Sequence, residues 1–176
     1  YIGYNLTMTT PRCLIVMSVW GNWHTDMFLR LNLRTLLSPN NFPRFTQELD
    51  TSFRIWTTPT DRKHLEADEL FRTLETYCPV SFEMLSQDQV NDAIGTHHIF
   101  WQEGLAQAAE QKAFVLFLPP DVAWAEGSLG HLSELAQQGK TAIFFNNHVR
   151  TNIVEVLPEF ERKYTNGRSI VTVHSR

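Results

Sequence analysis

The residue best placed to do chemistry in this 176-residue chain is an aspartate that follows an apolar run. Asp121 comes after the segment AFVLFL and two prolines, Pro119 and Pro120. A run this apolar is expected at the centre of a sheet, and the prolines cannot donate the hydrogen bonds that would extend it. A carboxylate that then faces a crevice can bind a divalent cation, which neutralises a diphosphate. The alternative is a turn-forming aspartate, which is common after proline.

A pair of histidines, His97 and His98, is the second candidate for chemistry. His98 falls on the apolar stripe of a predicted helix, so we expect it to be mostly buried near the carboxyl end of the first or fourth strand. One interpretation is a buried histidine that hydrogen-bonds to the backbone. The other is that residues 95–98 border a ligand at the edge of the sheet. The stripe consists of Ile94, His98, Trp101, Leu105 and Ala108.

Several familiar motifs of nucleotide-binding, catalytic and metal sites are absent or incomplete in this sequence. The segment 139–141 (GKT) resembles the end of a phosphate-binding loop, but Glu134 stands where the first glycine is required, and the order of helix and strand is reversed. Ser128 lies in a GSLG segment that resembles a nucleophile elbow, but Glu126 takes its first glycine position, and a helix cap fits better. No glycine-rich dinucleotide motif follows the first strand. His131 and Glu134 share a helix face without a second pair to complete a metal site.

Short apolar runs alternate with amphipathic segments along the whole chain. The spacing predicts strands over 13–19, 53–57, 80–85, 113–118, 141–145 and 169–173. It predicts helices over 25–37, 62–77, 87–111 (with a break near 95–96), 128–138 and 152–164. Asp61 is a candidate cap for the second of these helices, Gly139 ends the fourth, and Pro158 divides the last or starts its second half.

Strands separated by helices predict a three-layer α/β sandwich with a mainly parallel sheet and a nucleotide-binding, Rossmann-like topology. We expect at least four parallel strands, helices on both faces and the 113–118 strand in the interior. Ligands of such sheets bind beyond the carboxyl ends of the strands. Functional residues are therefore expected in the loops 20–25, 58–61, 86–98 and 119–128.

Composition narrows the class of protein. Apolar residues make up 43% of the chain and charged residues 19%, which suits one folded domain over residues 12–176, after a tail at 1–11. The net charge of -4, without a basic run, argues against nucleic acid as a partner. The two cysteines, Cys13 and Cys78, do not form a disulfide framework. With no apolar stretch of membrane-spanning length, these features predict a soluble, cytoplasmic protein.

The segment from Ile94 to Trp124 resembles the middle of a GT-A-type glycosyltransferase domain. In that family a helix with small residues leads into an apolar strand that ends in an Asp-x-Asp motif. The start, CLIVMSVW followed by a helix with Leu36 and Leu37, is also similar, and PPDVAWAEGSL resembles bacterial glycosyltransferase-like proteins. The resemblance covers about residues 12–150. It departs at Ala123, which stands where the second aspartate of the motif is expected.

The resemblance implies transfer of a sugar from a nucleotide-diphosphate sugar to an unknown acceptor. It implies that Asp121 binds the diphosphate through Mg²⁺ or Mn²⁺, and that Trp20, Asp61 and His98 line the nucleotide pocket. It supplies no candidate for the catalytic base, and because family members carry further sequence for the acceptor, it implies a domain truncated at its carboxyl end. The alternative is a non-catalytic nucleotide-binding or protein-interaction module with the same fold, since fold does not fix function.

Overall fold

The computed structural model describes residues 10–143, 151–165 and 170–174. Most of the predicted tail, residues 1–9, lies outside this part. The first strand begins at Arg12, directly after the predicted tail. Four strands form one sheet: β1 (Arg12–Ser18), β2 (Asp50–Thr57), β3 (Val80–Met84) and β4 (Phe114–Phe117). The helices are α1 (Asn22–Met27), α2 (Leu33–Leu36), α3 (Phe42–Glu48), α4 (Pro59–Ala67), α5 (Glu69–Glu75), α6 (Gln87–Asn91), α7 (Ala93–Gln111), α8 (Ser128–Gln137) and α9 (Ile153–Phe160). Two π-helical turns, Phe28–Asn32 and Glu161–Thr165, follow α1 and α9.

The sheet is entirely parallel, with the strand order β3-β2-β1-β4. In the described residues, helices after β1, β2 and β3 carry the chain back to the amino end of the next strand, and helices cover both faces of the sheet. This confirms the predicted three-layer α/β sandwich with Rossmann-like topology. The chain moves outward from β1 to β2 and β3, and then places β4 on the opposite side of β1. The strand order therefore reverses beside β1, between β1 and β4.

The two faces of the sheet have separate hydrophobic cores, because successive side chains on a strand point to opposite faces. On one face Ile15, Met17 and Phe53 pack with α2, α3, α5 and α8. On the other face Val16 and Trp56 pack with α7. The strand β1 is buried at every position after Arg12, because helices cover both of its faces and strands pair with both of its edges.

The prediction of an interior position for the 113–118 strand is wrong within the described residues. β4 pairs with β1 alone and forms an edge of the four-stranded sheet, while β1 and β2 occupy the interior. The apolar character of β4 has another cause, since its side chains contact α7 on one face and the larger core on the other. Coverage of both faces requires apolar residues whether or not both edges are paired.

Several helix predictions need correction. The helix predicted over 62–77 is divided into α4 and α5, because the Asp68 side chain accepts hydrogen bonds from the N–H groups of Leu70 and Phe71 and starts a new helix. The helix predicted over 87–111 is broken at Asp92, whose side chain caps α7 in the same way, rather than at 95–96. The helix α3 was not predicted. Pro158 lies within α9 and does not divide it.

The two last predicted strands are not strands where the structure describes them. Residues 141–143 have no regular structure, and 144–145 lie outside the described part. Residues 170–173 are also irregular, and residue 169 lies outside it. Instead of joining the sheet, this segment makes isolated backbone bonds, from the Val171 N–H to the Arg34 carbonyl and from the Glu126 N–H to the Val173 carbonyl.

Candidate functional site

The strand order reverses beside β1, so the loops after β1 and β4 lie next to each other at the carboxyl ends of the strands, where open parallel sheets bind their ligands. Both loops lead to helices on the same face of the sheet. The loop after β1 runs through Trp20 and Gly21 into α1. Gly21 has φ +78° and ψ 146°, a backbone conformation that is essentially restricted to glycine. The loop after β4 runs from Leu118 to Gly127. We take the groups that these loops and the start of α7 present as the candidate site.

Asp61 lies beneath the loop after β1 and is only 6% exposed. Its carboxylate accepts hydrogen bonds from the Gly21 N–H (3.0 Å), the Thr25 hydroxyl (3.3 Å) and the Thr58 hydroxyl (2.6 Å). The predicted capping role is wrong, since Thr58 is the N-cap of α4 and accepts from the Asp61 N–H. Asp61 thus joins the loops after β1 and β2, and its acceptor capacity is largely used within the protein.

The prediction that His98 is buried is wrong, because His98 is exposed on the outer side of α7. Most of its predicted stripe is exposed as well, including Ile94 at 76% and Leu105 at 52%. The face that packs on the sheet consists of Thr96, Phe100, Gly104 and Ala108. Small residues allow this close packing, since the Gly104 backbone lies against Val16 and Phe117, where an added Cβ would be 3.1 and 3.3 Å from them. The apolar stripe therefore indicated the wrong side of the helix.

The neighbouring His97 occupies the place predicted for His98. Its Nδ1 lies 2.6 Å from the Ala93 carbonyl oxygen, and its Nε2 lies 3.4 Å from the Ser18 hydroxyl at the end of β1. A carbonyl oxygen can only accept, so in the neutral ring Nδ1 carries the proton and Nε2 accepts from Ser18. The sequence signal was the histidine pair itself, but the sequence did not indicate which member faces the sheet.

Trp20 is half-buried and extends the aromatic surface around His97. The centroids of the Trp20 and His97 rings are 5.4 Å apart at an interplanar angle of 47°. The Phe100 ring also contacts the histidine, edge-on, with the ring centroids 5.6 Å apart. Trp20 lies just after β1, at the carboxyl end of the strand, and its place in the lining of a nucleotide pocket stays a prediction. The structure brings Trp20, Ser18 and His97 together, with Asp61 beneath the adjoining loop.

Asp121 is exposed in a turn on the loop after β4, between two fixed points. Before it, the Pro119 carbonyl accepts a 2.7 Å hydrogen bond from the side chain of Asn32, which is fully buried. After it, the Trp124 N–H donates to the Thr35 hydroxyl at 3.0 Å. These contacts hold the loop against the helical segment that follows β1. They leave the Asp121 carboxylate in solvent, which costs less than burying it unpaired.

A metal ion would find few protein ligands near Asp121. Across residues 10–143, 151–165 and 170–174, no three or more His, Cys, Asp or Glu side chains are grouped so that they could hold one. Position 123 of the same loop is alanine. A cation bound at Asp121 would therefore depend on oxygen atoms of its ligand, such as those of a diphosphate, and on water.

An apolar groove of about 450 Å³ lies elsewhere, along the edge of β4. It includes Cys13 and Phe114, near the amino ends of their strands, and extends to Ile143. Apart from Lys140 and Thr141, the side chains that line it in the described part of the chain are apolar, and those described side chains form no polar set that would recognise a nucleotide. His131 and Glu134 lie at the surface of α8, with Nδ1 of His131 and Oε2 of Glu134 3.3 Å apart.

No family model, curated protein or solved structure matches the chain. In the described part of the chain, none of the helices is long and apolar enough to cross a membrane.

Proposed function

We propose that this domain binds a nucleoside-diphosphate sugar at the carboxyl ends of β1 and β4, as the donor for transfer of the sugar to an acceptor. The observation that carries the proposal is the reversal of strand order beside β1, where open parallel sheets bind their ligands. At this point the domain presents an aromatic side chain, Trp20, and on the loop after the neighbouring strand a solvated carboxylate, Asp121. A cytoplasmic location, with both cysteines reduced, belongs to the same proposal.

The chemistry assigns a separate task to each loop. Transfer of a sugar develops positive charge at the anomeric carbon and negative charge on the departing diphosphate. A Mg²⁺ or Mn²⁺ ion held by Asp121 and the diphosphate would supply stabilisation of that negative charge. Trp20 would pack against the nucleoside, since aromatic rings stack on bases of any sequence. Asp61 would act through the loop that it holds rather than by contact with the ligand.

The first prediction concerns Asp121. The substitution Asp121→Asn keeps the shape of the side chain and removes its charge, so it should weaken Mn²⁺-dependent binding of uridine- or guanosine-diphosphate sugars at least tenfold, about 1.4 kcal/mol. The melting temperature should change little, because the carboxylate is exposed. Isothermal titration with and without Mn²⁺ measures both the affinity and its dependence on metal.

Glu110→Gln is the matched control, because it removes an exposed carboxylate from the opposite end of the sheet, near the end of α7. It should leave the affinity unchanged. Equal affinities of the wild type and Asp121→Asn would remove Asp121 from the site. Absence of nucleotide-sugar binding by the wild-type chain would contradict the proposal itself.

A second candidate, a non-catalytic nucleotide-binding or interaction module, is favoured by one observation. Ala123 removes the second carboxylate that a metal-dependent transferase of the resembled type uses. The two candidate functions differ in whether the bound nucleotide sugar reacts. A module of this kind would bind the nucleotide sugar and be stabilised by it, but it would neither hydrolyse nor transfer the sugar.

A further inference from the structure

The apolar groove of about 450 Å³ beside β4 lies toward the amino ends of the strands, away from the loops that carry Trp20 and Asp121. We call it the β4-edge groove. Its lining comes from β4, from α3, α7 and α8, and from residues 140–143 after α8. Small-molecule sites in proteins have volumes in this range and are mostly apolar, with a few polar groups that orient the ligand. The groove therefore has the size and the surface of a binding site.

Apolar side chains along the groove are incompletely covered by the protein. Leu105 of α7 is 52% exposed, and Phe114 and Leu132 are half-buried although they contact the larger core. β4 adds no charge to this surface, because its sequence is FVLF. A ligand that covers these side chains removes apolar surface from water, so its affinity should rise with each methylene group that it buries.

Lys140 is the only charged residue among the described side chains that line the groove. The end of α8 fixes its backbone. Gly139 adopts φ +78° and donates its N–H to the Ala136 carbonyl at 3.0 Å, and the Lys140 N–H donates to the Leu135 carbonyl at 3.1 Å. These two bonds are the pattern that ends a helix at a left-handed glycine. They hold the start of the Lys140 side chain at the rim of the groove.

The ammonium group of Lys140 forms no ion pair within the part of the chain that the structure describes, in contrast to the charges beside it. On α3 and α8, Arg44 pairs with Glu48 at 2.8 Å and with Glu134 at 2.6 Å. Lys140 is exposed, and a lysine stem can lie along apolar surface while its ammonium group stays in water. The groove is therefore complementary to a molecule with a long apolar chain and a single negative charge.

We propose that the β4-edge groove binds a straight-chain fatty acid, with the carboxylate at Lys140 and the hydrocarbon chain along β4. The Lys140 ammonium group and the Thr141 hydroxyl, which also lines the groove, can both donate to a carboxylate. A volume near the lower end of the range for ligand sites favours a single chain over a lipid with two chains. Because the groove is separate from the loops after β1 and β4, this site goes beyond the proposed function and does not depend on it.

The test measures by isothermal titration how affinity depends on charge and on chain length. Decanol has the chain of decanoic acid without its charge, and hexanoic acid has the charge on a chain with four fewer methylene groups. Wild-type protein should bind decanoic acid about tenfold more tightly than decanol, because a charge-assisted hydrogen bond is lost with the alcohol. It should bind hexanoic acid about a hundredfold more weakly than decanoic acid, because less apolar surface is buried.

Lys140→Met keeps the apolar stem and removes the charge, so it should lower the affinity for decanoic acid to that for decanol and leave decanol unchanged. Lys140→Arg should keep the preference for the acid. Lys63→Met removes an exposed lysine of α4 outside the groove and is the matched control, with wild-type affinities expected. Ala142→Trp adds a large side chain at the rim and should weaken binding of both ligands. Melting curves verify that all variants fold.

Equal affinities of the wild type for decanoic acid and decanol, or an unchanged preference in Lys140→Met, would overturn the assignment of the carboxylate to Lys140. Equal affinities for decanoic and hexanoic acid would overturn the assignment of the chain to the groove. Absence of decanoic acid binding by the wild type would overturn the whole proposal, and a dimer in sedimentation would then assign the groove to a second copy of the chain.

Discussion

At the scale of single residues, hydrogen-bond partners decide what each carboxylate does. Asp61 and Asp121 both follow a strand at the carboxyl edge of the sheet, and both are acidic side chains of the same length. Asp61 is buried and joins two loops through three hydrogen bonds, whereas Asp121 is exposed. We therefore expect Asp61 to contribute to stability and Asp121 to ligand binding.

Asp61→Asn should destabilise the fold by about 2 kcal/mol, because an amide nitrogen replaces one of the acceptor oxygens and a buried donor loses its partner. Urea unfolding monitored by tryptophan fluorescence measures the difference. Asp88→Asn, an exposed aspartate in the first turn of α6, is the control and should cost less than about 0.5 kcal/mol. Equal losses in the two variants would show that the bonds of Asp61 do not stabilise the loop.

At the scale of elements, two glycines set how closely helices approach their neighbours. Gly130 in α8 lies against the loop before α3, where an added Cβ would be 2.7 Å from the Asn40 carbonyl oxygen and 2.9 Å from the Arg44 side chain. Gly104 in α7 lies against side chains of β1 and β4 at 3.1 and 3.3 Å. Side chains can move by a few tenths of an ångström, but the backbone carbonyl at Asn40 cannot do so without moving its loop.

Gly130→Ala should therefore destabilise the protein by about 2 kcal/mol, even though alanine favours helix by about 1 kcal/mol. In Gly104→Ala the gain in helix propensity and the milder crowding oppose each other, so the net change should stay within about 1 kcal/mol. Chemical denaturation of both variants tests whether Gly130→Ala loses more stability than Gly104→Ala. A larger loss in Gly104→Ala would mean that the sheet surface is more rigid than the loop at Asn40.

At the scale of the whole molecule, the register of the sheet fixes the state of the two cysteines. Cys13 lies in β1 and pairs in register with Thr51 of β2, and Cys78 lies two residues before β3, which pairs with the other side of β2. Two strand spacings separate the cysteine backbones by about 10 Å, beyond the reach of a disulfide. Both are free and buried, and burial raises the pKa of each thiol to about 12.

The raised thiol pKa values predict a loss of stability at alkaline pH. The folded state keeps both thiols protonated, whereas unfolded thiols ionise near pH 9, so the free energy of unfolding should fall as pH rises from about 9 toward 12. The expected loss is on the order of 1 kcal/mol per thiol at pH 10. Urea unfolding between pH 7 and 10 measures it, and a Cys13→Ala/Cys78→Ala double variant should show a flatter dependence. Rapid reaction of the native protein with a thiol reagent at pH 8 would contradict the burial of these groups.

The sequence by itself determined the layers of this protein, because burial on both faces of a strand requires an unbroken apolar run and such runs alternate with helices. It therefore predicted β1 to β4 and their parallel arrangement. It also led us to expect a ligand site at the carboxyl ends of the strands. It also indicated Trp20 and the histidine pair, since aromatic and titratable side chains after a buried strand are visible in the sequence alone.

The tertiary structure alone decided which residues meet. Gly104 lets α7 lie close to the sheet on the face that also carries Phe100, and the predicted apolar stripe is mostly exposed. On this helix His97, not His98, faces Ser18, 79 positions earlier. The partners of Asp61 lie up to 40 positions away in sequence, on another loop. The edge position of β4 follows from strand pairing, which local hydrophobicity does not encode. Each of these outcomes depends on contacts between distant segments, and such contacts exist only once the chain has folded.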